Sequence, residues 1–272
     1  MTNPLISIVT VTFNAEKYIE QTIQSVLSQT YRNVEYIIID GGSTDRTIDI
    51  IRRYANRLSY WISEKDNGIY DAMNKGILHA HGELIGIVNA SDFYAPYTIQ
   101  TIVDAYEQHP NIGIFHGNIN MLNEDGSLFK QKSADSDLAQ LDKGFGLFHP
   151  TFFVRKDIYQ QVGLYDTSFR LAADYDFALR CRNAGVAFYH IPQVLSNFRV
   201  GGATNKQRLN SLSESKTALL NNGVTQQQAE QTYALWKKQT YKDIILRKIY
   251  NALCKIFPHK WIYKISLWIR IK

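Results

Sequence analysis

The sequence predicts an α/β fold: a mostly parallel central sheet flanked by helices, followed by a C-terminal helical appendage. Three observations carry that prediction. Short apolar runs alternate with stretches of helical periodicity from residue 5 to about residue 120, the pattern of repeated βα units. Several of those runs are nearly unbroken Ile and Val, as strands covered on both faces require. Beyond residue 206 the pattern turns helical and polar, and from Tyr241 onward amphipathic, basic and rich in aromatics.

The elements follow in order. Leu5–Thr12 reads as a buried strand, and Lys17–Thr30 as a helix with Ile19, Ile23, Val26 and Leu27 on one face. Val34–Ile39 is a second strand whose Ile37-Ile38-Ile39 run points to burial on both faces. Thr47–Ala55 is helical, with Ser43 or Thr44 available as N-cap. Leu58–Ile62 fits a short strand, Gly68–Ala80 a helix, Leu84–Val88 a strand, Thr98–Gln108 a helix and Ile112–His116 a strand. In such a sheet, ligands bind at the carboxyl ends of the strands. The alternation then weakens. Asn123-Glu124-Asp125-Gly126 suits a hairpin turn, Ser133–Gly146 a polar loop, and Phe145–Val154 an aromatic strand around His149 and Pro150. Ala173–Asn183 reads as a helix, Phe198–Asn205 as a Gly-containing loop, and 206–236 as mostly helical.

Composition narrows the class. The 272 residues are 45% apolar and 12% aromatic, which suits a globular protein with a sizeable core. The two cysteines, Cys181 and Cys254, form no Cys-x-x-Cys; this fits a reducing compartment and argues against a cysteine-based zinc site. There is no run of about 18 apolar residues and no basic, cleavable leader, so a cytoplasmic protein without a spanning helix is expected. The net charge of +5 is uneven: residues 237–272 hold ten Lys and Arg against one acid, Asp243, which leaves the remaining residues at −4. A nucleic-acid binder would be more uniformly basic.

After the first strand a dinucleotide-binding fold would need Gly-x-Gly-x-x-Gly. Here Val11-Thr12-Phe13-Asn14-Ala15-Glu16 contains no glycine, and no Walker A motif occurs. A phosphate bound by this chain therefore needs another charge partner, most simply a divalent cation on a carboxylate.

Five segments in order, Ser7–Asn14 (SIVTVTFN), Ile39–Asp45 (IDGGSTD), Ser63–Gly76 (SEKDNGIYDAMNKG), Val88–Pro96 (VNASDFYAP) and Ala173–Phe177 (ADYDF), resemble the motifs of family-2 inverting glycosyltransferases of the GT-A fold. The resemblance covers about residues 5–205. It implies a glycosyltransferase domain over 1–205, with a nucleotide-sugar-binding half (1–120) and an acceptor half (121–205), and a helical extension over 206–272. It implies transfer of a sugar from a nucleotide-sugar donor, with uridine favoured, to a hydroxyl of a glycan or lipid-linked acceptor. It also implies a role in bacterial polysaccharide or lipopolysaccharide synthesis.

By the same resemblance, Phe13 flanks the base and Asp40 sits at the base or ribose; the alternative for Asp40 is an acid that organises the following turn and caps the helix after Ser43. Asp66 falls in the third motif. Asp71, Asn74 and Lys75 share a helical face by i, i+3, i+4 spacing and would hold ribose hydroxyls and diphosphate, though an ordinary solvated face with an Asp71–Lys75 pair fits the same spacing. Asp92, after a buried strand, corresponds to the acid that holds Mg²⁺ or Mn²⁺ against the donor diphosphate, and Ser91 stands where relatives carry a second acid. The alternative for Asp92 is a turn or cap. Inversion needs a base for the acceptor hydroxyl, and the resemblance gives that role to Asp174; Asp176, two residues on, cannot share its face. The alternative for both is an acid favoured at a helix N-terminus. His149 would line the acceptor or metal side, or be a hydrogen-bonded core residue. Arg199, with Gly201 and Gly202, would form a loop closing over the diphosphate, or a plain turn. The tail 241–272 matches a basic interfacial helix, or two broken at Pro258, on an anionic inner leaflet, or else a helix packed on the domain. A catalytically silent sugar-nucleotide-binding module and a nucleotidyltransferase are the competing functions; the latter lacks its phosphate loop.

Overall fold

The computed structural model describes residues 3–201 and 207–256. Among the described residues nine strands form one sheet: β1 (Ile6–Thr12), β2 (Val34–Asp40), β3 (Tyr60–Ser63), β4 (Leu84–Asn89), β5 (Phe93–Tyr94), β6 (Ile114–Leu122), β7 (Leu128–Lys132), β8 (Phe153–Arg155) and β9 (Phe188–Arg199). Their order is β3-β2-β1-β4-β8-β6-β9-β5, with β7 paired to β6. The helices between them are α1 (Ile19–Leu27), α2 (Thr47–Arg53), α3 (Ile69–His79), α4 (Thr98–Gln108), α5 (Lys156–Val162) and α6 (Ala173–Asn183); α7 (Arg208–Asn221) and α8 (Gln226–Ile256) follow.

Period-two alternation sorts the strands' side chains onto two cores. Ile6, Ile8, Tyr36 and Ile38 pack with α1, α2 and α4 through Ile19, Ile23, Ile51, Ile99 and Ile102. Val9, Val11, Ile37 and Ile39 pack with α3, α6 and α7 through Met73, Ile77, Phe177 and Leu219. Both faces are covered, which is why β1 is buried over all seven residues. Gly76 lets α3 lie close on the sheet, since a Cβ there would run into Val9 Cγ1.

The parallel part, β3-β2-β1-β4, matches the predicted units. Several local expectations need correction. Helix α2 is not capped by Ser43 or Thr44; its N-cap is Arg46, and the Asp45 carboxylate accepts from Thr47 N at 2.9 Å. The aromatic segment around His149 is a 3₁₀ turn, His149–Thr151, followed by only three residues of strand. Residues 198–199 end β9 instead of opening a loop. The tail expectation falls partly on α8, and 257–272, Pro258 included, lie outside the described residues. Among the described residues no helix is long and apolar enough to cross a membrane.

Candidate active site

One edge of the sheet collects the strand ends. Thr12, Asp40 and Ser63 are in register at the carboxyl ends of β1, β2 and β3, and Asn89 pairs with Val11 one step back. Strand β8 runs against both β4 and β6, and β9 runs with β6, so β9 points the same way as β4 and delivers Arg199 to that edge.

The turns after β1 and β2 interlock. Asn14 takes a left-handed conformation (φ 46°); its N–H donates to Ser43 Oγ at 2.8 Å and its Oδ1 accepts from Thr44 N at 2.9 Å. Asn tolerates this backbone because its short amide can bond locally. The lock leaves Phe13 facing outward, 61% exposed. Asp40 is fully buried and accepts four hydrogen bonds, from the N–H groups of Gly42 and Ser43 and the hydroxyls of Ser43 and Ser63. Its carboxylate thus organises the turn, the alternative that the sequence left open. Asp66 occupies the space beside it: a Cβ on Gly41 would collide with the Asp66 carboxylate, whose Oδ1 accepts from Gly68 N at 2.9 Å. The missing side chain at 41 is what admits Asp66 to the edge.

The predicted face Asp71–Asn74–Lys75 is divided. The Asn74 amide clasps the backbone of Tyr165 in both directions, at 2.8 and 3.0 Å, so it is committed to holding the segment after α5 and not to ribose. Lys75 is paired with Glu64 at 2.8 Å and Asp71 at 3.7 Å, and the Glu64 bond raises its pKa further. Asp71 accepts from Asn67 N at 3.0 Å.

Asp92 lies at the edge along the chain, but its carboxyl is buried, not open as the strand end alone implied. Oδ1 accepts from Arg199 N at 3.1 Å, and the Ser91 side chain supplies a further hydrogen bond. Among the described residues Asp92 forms no ion pair, and desolvation pushes its pKa up to about 7. Arg199 turns its guanidinium elsewhere: to Gln21 Oε1 at 2.8 Å, to the carbonyls of Asn123 and Glu124, and over the Tyr18 ring at 4.6 Å. It is a buried strut between α1 and the β6–β7 turn, not a residue of a closing loop. Gly202 lies outside the described residues.

Asp174 is in the first turn of α6. Its Oδ1 accepts from the Tyr70 hydroxyl at 3.1 Å and Tyr175 N at 2.9 Å, and burial pushes its pKa up to about 6. Tyr70 also lines a pocket of about 230 Å³ with Asn67, Asp71, Phe169, Arg170 and Leu171. Asp176 faces another way, buried against Arg180 Nε at 2.7 Å and the Asn222 amide at 2.9 Å; it fastens α6 rather than meeting an acceptor. His149 is buried with Nε2 2.9 Å from the Tyr165 hydroxyl, and desolvation lowers its pKa to about 4. It is a neutral, hydrogen-bonded core residue, the alternative that the sequence left open, and its partner Tyr165 lies near Asp174.

A family model described as Glycosyl transferase family 2 matches residues 7–163. The chain belongs to that family. It is 28% identical over 211 residues to a PGL/p-HBAD biosynthesis glycosyltransferase of Mycobacterium bovis, covering 75% of this chain and 81% of the relative. It is 32% identical over 180 residues to an uncharacterized glycosyltransferase of Mycobacterium tuberculosis, covering 65% and 68%. Among solved structures, S. aureus TarS 1–349 in complex with UDP-GlcNAc superposes with a TM-score of 0.65 at 17% identity, over 88% of this chain and 73% of that one. The mannosyltransferase PcManGT from Pyrobaculum calidifontis, in complex with GDP-Man and Mn²⁺, gives 0.61 at 16% identity, over 97% and 84%. The chain spans 42% of the longer TarS chain. These likenesses establish a GT-A-type α/β fold.

For a family-2 glycosyltransferase the donor set at Asp92 fits a divalent cation in one respect. A buried carboxyl with no ion pair among the described residues, and only the more distant charge of Arg199 to favour its ionised form, carries a charge that a hard cation would offset. Among the described residues no group of three or more His, Cys, Asp or Glu stands ready to hold an ion, so protein ligation would rest on Asp92. Two participants escaped the sequence reading. Tyr70 was visible in the third motif, but its contact with Asp174 crosses 104 residues. Glu214 carries no motif at all; its carboxylate accepts from the N–H groups of Arg170, Leu171 and Ala172 at 3.0, 2.7 and 3.2 Å.

Proposed function

We propose that this family-2 glycosyltransferase transfers a sugar, with inversion, from a nucleoside-diphosphate donor to a hydroxyl of a glycan or lipid-linked acceptor. The observation that carries the reading is Asp174: a carboxyl hydrogen-bonded to Tyr70 of the pocket wall, with its pKa pushed to about 6, is ionised at neutral pH yet basic enough to accept a proton. The acceptor oxygen attacks the anomeric carbon, the bond from that carbon to the diphosphate oxygen breaks, its electron pair leaves with the nucleoside diphosphate, and the hydroxyl proton passes to Asp174. Phe13, exposed at the end of β1, offers a ring to the base, and Asp66 at the Gly41 turn offers an acceptor to the nucleoside. Mg²⁺ or Mn²⁺ held by Asp92, with Ser91 beside it, would offset charge on the leaving diphosphate. The donor class rests on the motifs and on a shared fold with structures holding UDP-GlcNAc and GDP-Man; uridine is favoured by the sequence motifs.

The acceptor reading extends to the tail. On α8, Tyr241, Ile245 and Ile249 recur every four residues and are 45%, 56% and 46% exposed, with Lys237, Lys238 and Lys242 nearby in sequence. This stripe suits the surface of an anionic leaflet, where a lipid-linked acceptor of bacterial polysaccharide synthesis would lie, with the enzyme peripheral on the cytoplasmic side. Release of nucleoside diphosphate from UDP-GlcNAc, UDP-glucose, UDP-galactose and GDP-mannose, with Mg²⁺ or Mn²⁺, tests the core of the proposal. Turnover of a UDP-sugar is expected. Binding of UDP without turnover of any donor would favour a silent nucleotide-sugar-binding module. Removal of 241–272 should abolish cosedimentation with anionic liposomes; undiminished cosedimentation would rule out the membrane contact.

A further inference from the structure

Helix α7 stands outside every recognised motif, yet it touches the head of α6. Glu214 Oε2 accepts from three consecutive backbone N–H groups, those of Arg170, Leu171 and Ala172. Ala172 is the N-cap residue of α6, whose own side chain caps nothing. A helix begins with N–H groups that lack intrahelical partners and with a partial positive charge. A carboxylate from another helix meets part of that need here. At the far end of α7, the Asn222 amide bonds Asp176 at 2.9 Å, and the Asn222 carbonyl accepts from Asn183 at 2.9 Å. Leu219 and Ala218 are fully buried between these two ties. The helix is therefore strapped to α6 at both ends.

The electrostatic consequence falls on Asp174. Left alone, the N-terminus of α6 would stabilise the Asp174 carboxylate and weaken it as a base. Glu214 brings a second negative charge to the same place, acting on both Asp174 and Tyr70. The other groups facing Asp174 are Tyr70 of α3 and Tyr165 of the segment after α5; Asp176 is neutralised by Arg180. Glu214 is thus the acid from a neighbouring element that opposes the helix end.

We propose that Glu214 is a positioning residue for Asp174: from α7 it locks residues 170–172 at the head of α6 and adds its charge to the field around the carboxylate. Helix α7 then belongs to the reacting half of the enzyme and is not an appendage. This rests on the reading of Asp174 as the base.

The test uses the full chain with ¹³C-carboxyl-labelled aspartate, the Asp174 resonance being assigned by its loss in Asp174→Asn. In Glu214→Gln an acceptor oxygen remains but the charge is gone, so the Asp174 titration midpoint should fall by about half a pH unit with little change in melting temperature. In Glu214→Ala the loop loses its anchor, and kcat for nucleoside diphosphate release from UDP-GlcNAc should drop about tenfold, with KM held within about twofold. An Asp174 midpoint that is the same in wild type and Glu214→Gln overturns the proposal. Failure of the underlying reading would show separately, as an Asp174→Asn variant that releases UDP at the full rate.

Discussion

Asp40, at the end of β2, and Asp174, at the head of α6, are the same residue type, and the protein treats them in opposite ways. Asp40 receives four hydrogen bonds, two from backbone N–H groups and two from serine hydroxyls, and shows no exposed surface. Asp174 accepts on Oδ1 from the Tyr70 hydroxyl and Tyr175 N, draws a further bond from its own N–H, has no serine hydroxyl partner among the described residues, and shares its surroundings with the carboxylate of Glu214. A saturated carboxylate is part of the architecture, and its charge is spent on holding a turn. An under-served one keeps an oxygen and a proton affinity available for chemistry. The turn after β2 is therefore held rigid by hydrogen bonding, while the head of α6 leaves its carboxyl less satisfied, as the proposed role of Asp174 as base requires.

The sharpest way to break this comparison is Asp174→Asn. Turnover of the donor should fall about a hundred- to ten-thousand-fold. The fold should not suffer. A carboxyl whose folded pKa is raised contributes stability that is present below its unfolded pKa, near 3.8, and lost as pH rises through about 6. At pH 8 the Asn variant should thus be more stable than wild type, by on the order of 1–2 kcal/mol, and thermal melts at pH 4 and 8 read the difference. In wild type the same ionisation should give kcat an acid limb near pH 6, with activity rising toward neutrality. The converse substitution, Asp40→Ala, strands two N–H groups and two hydroxyls. It should cost about 3 kcal/mol in urea unfolding, with loss of activity only as a result. Gly76→Ala tests the packing that sets Tyr70 beneath Asp174. The clash with Val9 should cost about 2 kcal/mol by thermal melting. Smallest is Phe13→Ala, which should weaken UDP binding about fivefold by calorimetry, on the order of 1 kcal/mol of stacking. An unchanged affinity would remove Phe13 from the base site.

The parallel strands and the helices Thr98–Gln108 and Ala173–Asn183 were legible because their apolar periodicity is local. Strand β9 was not. Its twelve residues mix His190, Gln193 and Asn197 with Pro192, and its pairing with β6 shifts register between Gly117 and Ile119, so no clean alternation survives in the sequence. Site residues divided in the same way. Their positions along the chain could be read, but their partners could not. The state of Asp40 depends on Ser63, the commitment of Asn74 on Tyr165, and the burial of Asp92 on Arg199. Each partner is brought in by topology, and a spacing rule within one helix or turn has no access to it.

The bond from Arg199 N to Asp92 spans 107 residues, and the guanidinium of the same residue reaches Gln21 across 178. Contacts of such sequence separation close late, because the loop entropy must be lost before they contribute. A chain that has folded β1 to β4 but not yet laid down β9 holds Asp92 without its amide donor, Arg199 N. A chain that ends before residue 199 therefore lacks both the amide that meets Asp92 and the side chain that ties α1 to the β6–β7 turn.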